Sequence, residues 1–362
     1  MKVPLNNLSD LHSEIKVELD EAWNDLVERS DFIGGRSINE FELEFAKKTS
    51  SNFCIGVANG TDAIEIVLAG LNLKPGDEVI LPAQTWISTA EAVSRLGGIP
   101  VFADCENNSA VISVSSIKRL INSKTVGIIA VHLHGYEADT LSIRNLVKDK
   151  NIWLIEDCAQ SHLLNLYSDN VGKYSIACTY SFFPGKNLGA FGDAGAITTN
   201  SEDLAEYCRL YANHGTRDKL THFFPGVNSR LDSIQASILK IKLKKLKFLT
   251  DKRISIAKVY KNFLCDYKQL RLIQFDRPCV FHQFVILSKD RDELKNYLSR
   301  LGISTGVHYP KPVPLLDAYI GSKGEWGYAE SLSREMLSLP IFPNISSQQI
   351  EYLLNSIREF YK

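Results

Sequence analysis

From about residue 53 to residue 200 the chain alternates short apolar runs with amphipathic segments, and no other feature constrains its fold so tightly. The runs are CIGVAN (54–59), EVILPA (78–83), IPVFAD (99–104), TVGIIAVHLHG (125–135), IWLIEDC (152–158), IACTYSF (176–182) and GAITTN (195–200). Helical spacing fills intervals at 61–73, 86–96, 114–122 and 139–149. Runs that are apolar without strict alternation belong to strands covered on both faces, and strands separated by helices pair in parallel. The expectation is an α/β large domain built on a mostly parallel seven-stranded sheet.

An amphipathic stretch (10–29) and the turn-then-helix pattern SDFIGGRSINEFELEF precede this core. A long helix is expected from about 231 to 264. Leu231, Ile234, Ile238 and Ile241 follow helical spacing, with Leu239, Leu243 and Leu246 beside them, so the lysines of ILKIKLKKLKFL (238–249) are expected on its wet face. Beyond it come a strand at 281–288, a helix at 290–301, a strand at 303–309, a Pro/Gly-rich loop, and helices near 327–338 and 346–361. That reads as a smaller C-terminal α+β domain. The division falls at residues 1–250, with an N-terminal helix, and 251–362.

Composition narrows the function classes. The 362 residues carry a net charge of −1, so no broad field draws the chain to nucleic acid or to an anionic membrane. Seven scattered cysteines without a C-x-x-C pair point to reduced, mostly buried thiols rather than a disulfide framework or zinc. His132 and His134 form an H-x-H pair with no third ligand near in sequence, and no metal is expected. The N-terminus has no basic-then-apolar leader and no apolar run approaches about 18 residues, so a soluble, cytoplasmic protein is expected.

Open parallel sheets bind ligands at the carboxyl ends of their strands. The first run ends in Asn59-Gly60-Thr61-Asp62 at a helix start, where free N–H groups suit a phosphate or simply a cap. The second leads to Trp86, which could close the core or stack on a flat ring. The fifth ends in Asp157, a helix cap or the partner of a cation, with Gln160 just after it. The sixth delivers Ser181 and then Lys186, in SFFPGKNLGAFGDAGAI. A phosphate cradle, a flat aromatic, an acid, a hydroxyl and an amine together match pyridoxal 5'-phosphate. A carboxylate keeps its pyridine nitrogen protonated, and a desolvated lysine gives up its proton more readily.

The chain resembles the DegT/StrS-type nucleotide-sugar aminotransferases, a branch of the fold-type I pyridoxal-phosphate enzymes. The likeness runs through FIGGRSINEFELEFA, NGTDAI, LPAQTWISTAEAV, EDCAQSH, SFFPGKNLGAFGDAGA, GVNSRLDSIQASIL and HYP, in that order. It implies that Lys186 carries the cofactor and shuttles the proton, that Asp157 pairs with the ring nitrogen, and that Gln160 meets the phenolic oxygen. It further implies that Trp86 stacks on the ring. The phosphate would be held by Gly60, Thr61, Asp62 and Ser181, with Asn228 reaching it from a second subunit of a homodimer. Pyridoxamine phosphate would be the intermediate cofactor form, glutamate the amine donor and a nucleotide-linked keto-sugar the acceptor. Phe183 stands where many relatives have histidine, and the segment after His162 departs from the family, so His162 is assigned no role. Retention of Lys186 favours amino transfer over sugar dehydration, and PGKNLGAFGDAGA resembles relatives acting on 3-keto-6-deoxy sugars more than those acting at C4. The alternatives are a 4-keto-sugar aminotransferase, a dehydratase on the same scaffold, or a non-catalytic protein that kept the fold. The 308–326 loop could face either the sugar or the partner subunit.

Overall fold

The computed structural model describes residues 1–218, 220–273 and 277–362. Seven strands make one sheet: β1 (Phe53–Val57), β2 (Glu78–Pro82), β3 (Ile99–Ala103), β4 (Thr125–Val131), β5 (Trp153–Asp157), β6 (Ala177–Ser181) and β7 (Gly195–Thr199). Their spatial order is β1-β7-β6-β5-β4-β2-β3, and β7 runs antiparallel to β1 and β6 while the other six share one direction. Six of the strands fall inside the apolar runs that announce them, and β1 begins one residue before its run, at Phe53. The fourth run stops being a strand at Val131 and continues as a single 3₁₀ turn, Leu133–Gly135.

Helices α1 (Ser9–Glu14), α2 (Lys16–Arg29) and α3 (Arg36–Lys48) precede the sheet. Between its strands lie α4 (Gly60–Gly70), α5 (Ser88–Arg95), α6 (Val114–Leu120) and α7 (Thr140–Val147). After β7 come α8 (Glu202–Tyr211), which the apolar pattern did not announce although Ser201 caps it, and the 32-residue α9 (Ser233–Leu264). One core cluster joins Ile80, Ile128, Ile129 and Ile155 of the sheet to Ile64, Ile66 and Leu68 of α4. A second packs Phe41 and Phe45 of α3 edge-on to Phe182, just beyond β6, against Leu239 and Leu243 of α9.

The C-terminal part holds a three-stranded antiparallel sheet of β8 (Leu270–Leu272), β9 (Phe284–Ser288) and β10 (Met336–Leu339), in the order β10-β9-β8. Around it stand α10 (Arg291–Arg300), α11 (Gly327–Glu335) and α12 (Ser347–Phe360). Two expectations fail in this part of the chain. Residues 303–309 form no strand; Ile303 and Gly306 make single bridges, to Val3 and Ser338. The helix expected over 327–338 ends at Glu335, and its last residues become β10. α9 also runs without a break through residue 250. Its lysines are not all wet: Lys242 is 4% exposed and sits among the buried residues. All seven cysteines are free, and Cys265 alone is exposed. Among the described residues no helix is long and apolar enough to cross a membrane.

Gly127 of β4 pairs with Trp153 of β5, whose indole lies over it; a Cβ at Gly127 would fall 2.1 Å from the ring. Gly127→Ala is therefore expected to displace Trp153 and destabilise the protein by about 1–3 kcal/mol, the usual cost of overpacking. Denaturant titration followed by tryptophan fluorescence measures it; an unchanged midpoint would contradict this packing.

Candidate active site

Because six strands of the large sheet run in one direction, the loops that follow β1, β2, β5 and β6 gather at one edge. They line a cavity of about 750 Å³ whose walls include Gly60, Thr61, Asp62, Trp86, Asp157, Gln160, Ser181 and Lys186. Residues scattered over more than a hundred positions thus meet in one place.

Asp157 ends β5 and is buried. Its Oδ2 accepts from Thr89 Oγ1 at 3.1 Å and its Oδ1 from the Ala159 N–H at 3.1 Å. Burial pushes its carboxyl up from the ordinary value, while the Ala159 N–H, the Lys186 charge and Thr89 pull it back. Lys186 shows the mirror image: burial lowers its amine to about 8, and Asp157 opposes the shift. Among the described residues the Lys186 amine has no hydrogen bond or ion pair. It faces the cavity as a nucleophile whose neutral form is within reach near neutral pH.

Trp86 is 57% exposed, so it is no lid on the core; its ring lies 5.4 Å from that of Tyr309 at 44°. Gln160 accepts the His134 N–H at 2.6 Å through Oε1 and donates through Nε2 to the Tyr309 hydroxyl at 3.2 Å. Ser181 is backed by His162, whose Nε2 is 2.9 Å from the Ser181 carbonyl oxygen. Burial, and then the Lys186 charge, lower His162 to about 3, so a neutral ring donates that bond.

At the start of α4 the Asn59 side chain caps the helix by accepting the Asp62 N–H at 2.8 Å. That corrects one expectation: the Asp62 N–H is committed to the cap. The N–H groups of Gly60 and Thr61 have no partner among the described residues. A Cβ on Gly60 would lie 2.6 Å from Ser181 Cβ, so the helix start and the serine meet with no room for a side chain between them. An anion would find two free N–H donors at a positive helix end with a hydroxyl beside them. With the amine and the carboxylate in the same cavity, these residues fit pyridoxal phosphate. Asn228 stands apart, bridged to Asn213 and outside the cavity wall.

The apolar pattern gave no hint of the opposite wall, which the C-terminal part supplies through His282, Gln283, His308, Tyr309 and Ser338. Of these, only His308 and Tyr309 fall in a stretch, HYP, that the family resemblance marks in the sequence. His134 is fully buried, and its Nδ1 lies 2.5 Å from Gln283 Oε1 while its Nε2 has no partner among the described residues. A buried bare lone pair costs less than a buried orphan N–H, so Nδ1 carries the proton and Gln283 turns its amino group elsewhere. His308 Nδ1 meets Ser338 Oγ at 2.8 Å, and burial lowers this ring to about 4. The loop beyond is strapped to the large sheet: Val313 N–H donates to Ala83 O at 2.8 Å and Trp326 Nε1 to Phe102 O at 2.8 Å. His132 faces Glu156 at 2.8 Å and accepts the Ala138 N–H, so the two histidines of the H-x-H pair have separate partners.

The sequence matches the DegT/DnrJ/EryC1/StrS aminotransferase family over residues 13–358. It is 38% identical to a pleiotropic regulatory protein of Geobacillus stearothermophilus, covering 100% of this chain and 99% of that one. It is 35% identical to a dTDP-3-amino-3,4,6-trideoxy-alpha-D-glucose transaminase of Streptomyces venezuelae, over 99% and 96% of the two chains. The crystal structure of S. venezuelae DesV in complex with a ketimine intermediate matches with a TM-score of 0.96 and 35% identity, over 100% of this chain and 99% of that one.

In the cofactor-free protein, labelling of Lys186 by an amine-directed reagent should follow a titration centred near pH 8, well below the ordinary lysine value of 10.5. Asp157 stabilises the ammonium, so Asp157→Asn should move the midpoint lower. Peptide mass spectrometry across pH reads both, and a Lys186 midpoint at the ordinary lysine value would contradict the balance of burial and charge at this amine.

Proposed function

This chain belongs to the DegT/DnrJ/EryC1/StrS aminotransferase family, and from that premise we propose that it moves an amino group from glutamate to the 3-keto carbon of a nucleotide-linked 6-deoxyhexose. It is a pyridoxal-phosphate-dependent aminotransferase of the nucleotide-sugar type. The observation that carries the residue assignments is the pairing of a depressed amine, Lys186, with a buried carboxylate, Asp157, in one cavity.

Bound there, pyridoxal phosphate supplies a ring that takes up the electrons left when a Cα proton departs. Lys186 would hold it through Nζ, Asp157 would face the ring nitrogen, Gln160 the phenolic oxygen and Trp86 the ring face. The Gly60 and Thr61 N–H groups and the Ser181 hydroxyl would take the phosphate. Once its Nζ is free, Lys186 is the group to lift the proton from the amino-acid carbon and later deliver one to the sugar carbon. An amine near 8 suits that two-way duty, because neither protonation state is far out of reach at neutral pH. His162 and His308 stay neutral and add no competing charge.

The preference for C3 rests on the PGKNLGAFGDAGA stretch and on the 3-amino-sugar product named for the S. venezuelae transaminase. Asn228 lies outside the cavity of its own chain, which supports its donation to the phosphate site of a second copy in a homodimer.

Purified enzyme incubated with glutamate and a panel of nucleotide-linked 3-keto and 4-keto sugars should yield a C3 amine by NMR. Amination at C4, or loss of a ring hydroxyl without nitrogen gained, would overturn the assignment. Lys186→Ala should lower amino transfer by about 100- to 10,000-fold, the range for a lost general base. Wild-type turnover by that variant would remove Lys186 from its role.

A further inference from the structure

The loop that delivers Lys186 closes on itself. The Phe182 N–H donates to Ala194 O at 2.7 Å, the Ala190 N–H to Phe182 O at 2.7 Å, and the Lys186 N–H to Phe183 O at 2.8 Å. A Cβ on Gly189 would lie 2.2 Å from Pro184 O, so the two limbs that flank Lys186 touch backbone to backbone. These contacts fix the shape of the loop without fixing where it sits. Asn187, which donates through Nδ2 to Val280 O at 3.1 Å, ties it to the C-terminal part, and two side chains of α9 hold its other limb. Gln235 Oε1 accepts the Phe191 N–H at 2.8 Å, and Lys242 Nζ donates to Gly189 O at 2.6 Å. Seven residues separate them, which puts both on one face of the helix.

Lys242 is an unusual choice for such a place. It is 4% exposed, its ammonium lies 4.9 Å over the Phe191 ring, and no carboxylate pairs with it among the described residues. A buried ammonium without a counter-ion is costly, and a methionine would fill similar space without that cost. What the charge adds is a strong, directed bond to one carbonyl, three residues after Lys186.

The geometry points to Lys242 as a positioning residue for Lys186: its ammonium, bonded to the Gly189 carbonyl, holds in register the loop from which the Lys186 amine enters the cavity. The inference rests on the reading of Lys186 as the cofactor-bearing lysine. It carries a pH corollary. The groups near Lys242 are His12 of α1, whose ring is 4.5 Å from that of Phe191, and Lys186 and Arg253, which share with Lys242 the walls of a small cavity under the loop. None is acidic. His12 is lowered by burial and then by Lys242 itself, so it stays neutral. Burial lowers Lys242 to about 8, so the charged donor predominates below that pH and the weaker neutral amine above it.

The test compares wild-type holoenzyme with Lys242→Met and Lys242→Arg. Borohydride fixes the cofactor to protein and peptide mass spectrometry locates it, while steady-state kinetics separates kcat from KM. Lys242→Met should fix about 10- to 100-fold less cofactor on Lys186 in a timed reaction and lose kcat by a similar factor, as a displacement of about 1 Å would cause. The sugar KM should hold within about twofold, and Lys242→Arg should restore most of the loss. A Lys242→Met protein that labels and turns over within twofold of wild type overturns the proposal. A loss spread over both variants, with KM rising, also overturns it, since that pattern is general loosening. Hydrogen exchange of residues 183–191 in the wild-type protein gives an independent reading should Lys242→Met not fold. Corrected for intrinsic rates, exchange should quicken above pH 8 both in the wild type and in Lys186→Met, where no second amine of the loop titrates in that range, and a flat profile in Lys186→Met would count against the clamp. If wild-type Lys186 traps no cofactor, the proposed function fails instead, and exchange in the loop still decides the clamp.

Discussion

A carboxylate and an amine facing one desolvated cavity set the terms for this molecule. Burial pushes Asp157 toward its neutral acid and Lys186 toward its neutral amine, and each pulls the other back. Alone, each would shift further toward its neutral form, because an unpaired buried charge is among the costlier things a fold can hold. The sheet brings them together. Asp157 closes β5, β6 runs parallel beside it with Thr179 in register, and the chain beyond β6 bends back over Phe182 to place Lys186. Thr89 and the Ala159 N–H give the acid one donor per oxygen and so fix its plane. A ring nitrogen able to hold a proton is the partner such an acid lacks.

The end of the site formed by the start of α4 and Ser181 depends on packing rather than charge. β7 enters antiparallel between β1 and β6, and it fits because Gly195 has no side chain; a Cβ there would lie 2.4 Å from the Asn59 carbonyl oxygen. Asn59 is the residue that caps α4, and Gly60 presses on Ser181. Two glycines therefore set the distance between a helix start and a hydroxyl. Either one enlarged by a methyl group would open the cradle.

The large sheet was legible because β1 to β5 are nearly unbroken apolar runs separated by helices, and such a run has few alternative structures. The site on that side was legible for the same reason, since strand ends in a parallel sheet must converge. The far wall was not. Its sheet uses strands as short as the three residues of β8, and β10 follows α11 with no turn residue between them, so a helical pattern simply continued into it. Residues 303–309 carry strand-like residues but meet only single partners on either side. Tyr309 reaches Gln160, and Gln283 reaches His134, across about 150 positions of chain. No local pattern encodes a contact of that span.

The same limit explains the misread face of α9. Spacing alone assigns its lysines to solvent, and Lys244, Lys245 and Lys247 do lie toward the surface. Yet Lys242 turns in to Gly189, and Arg253, three turns on, gives its guanidinium to the carbonyls of Ile341 and Phe281. One carbonyl belongs to the loop that carries Lys186. The others belong to the C-terminal part, where Phe281 is followed by His282 and Gln283 of the far wall. The helix thus grips both walls of the cavity with buried cations, and its 32 residues form one uninterrupted element. A helix with an all-apolar inner face would pack as well, but dispersion has no direction, and it would leave each wall free to slide along the groove. Charge bonded to a single carbonyl oxygen fixes a position along the axis, which is what two walls closing on one reactive amine require.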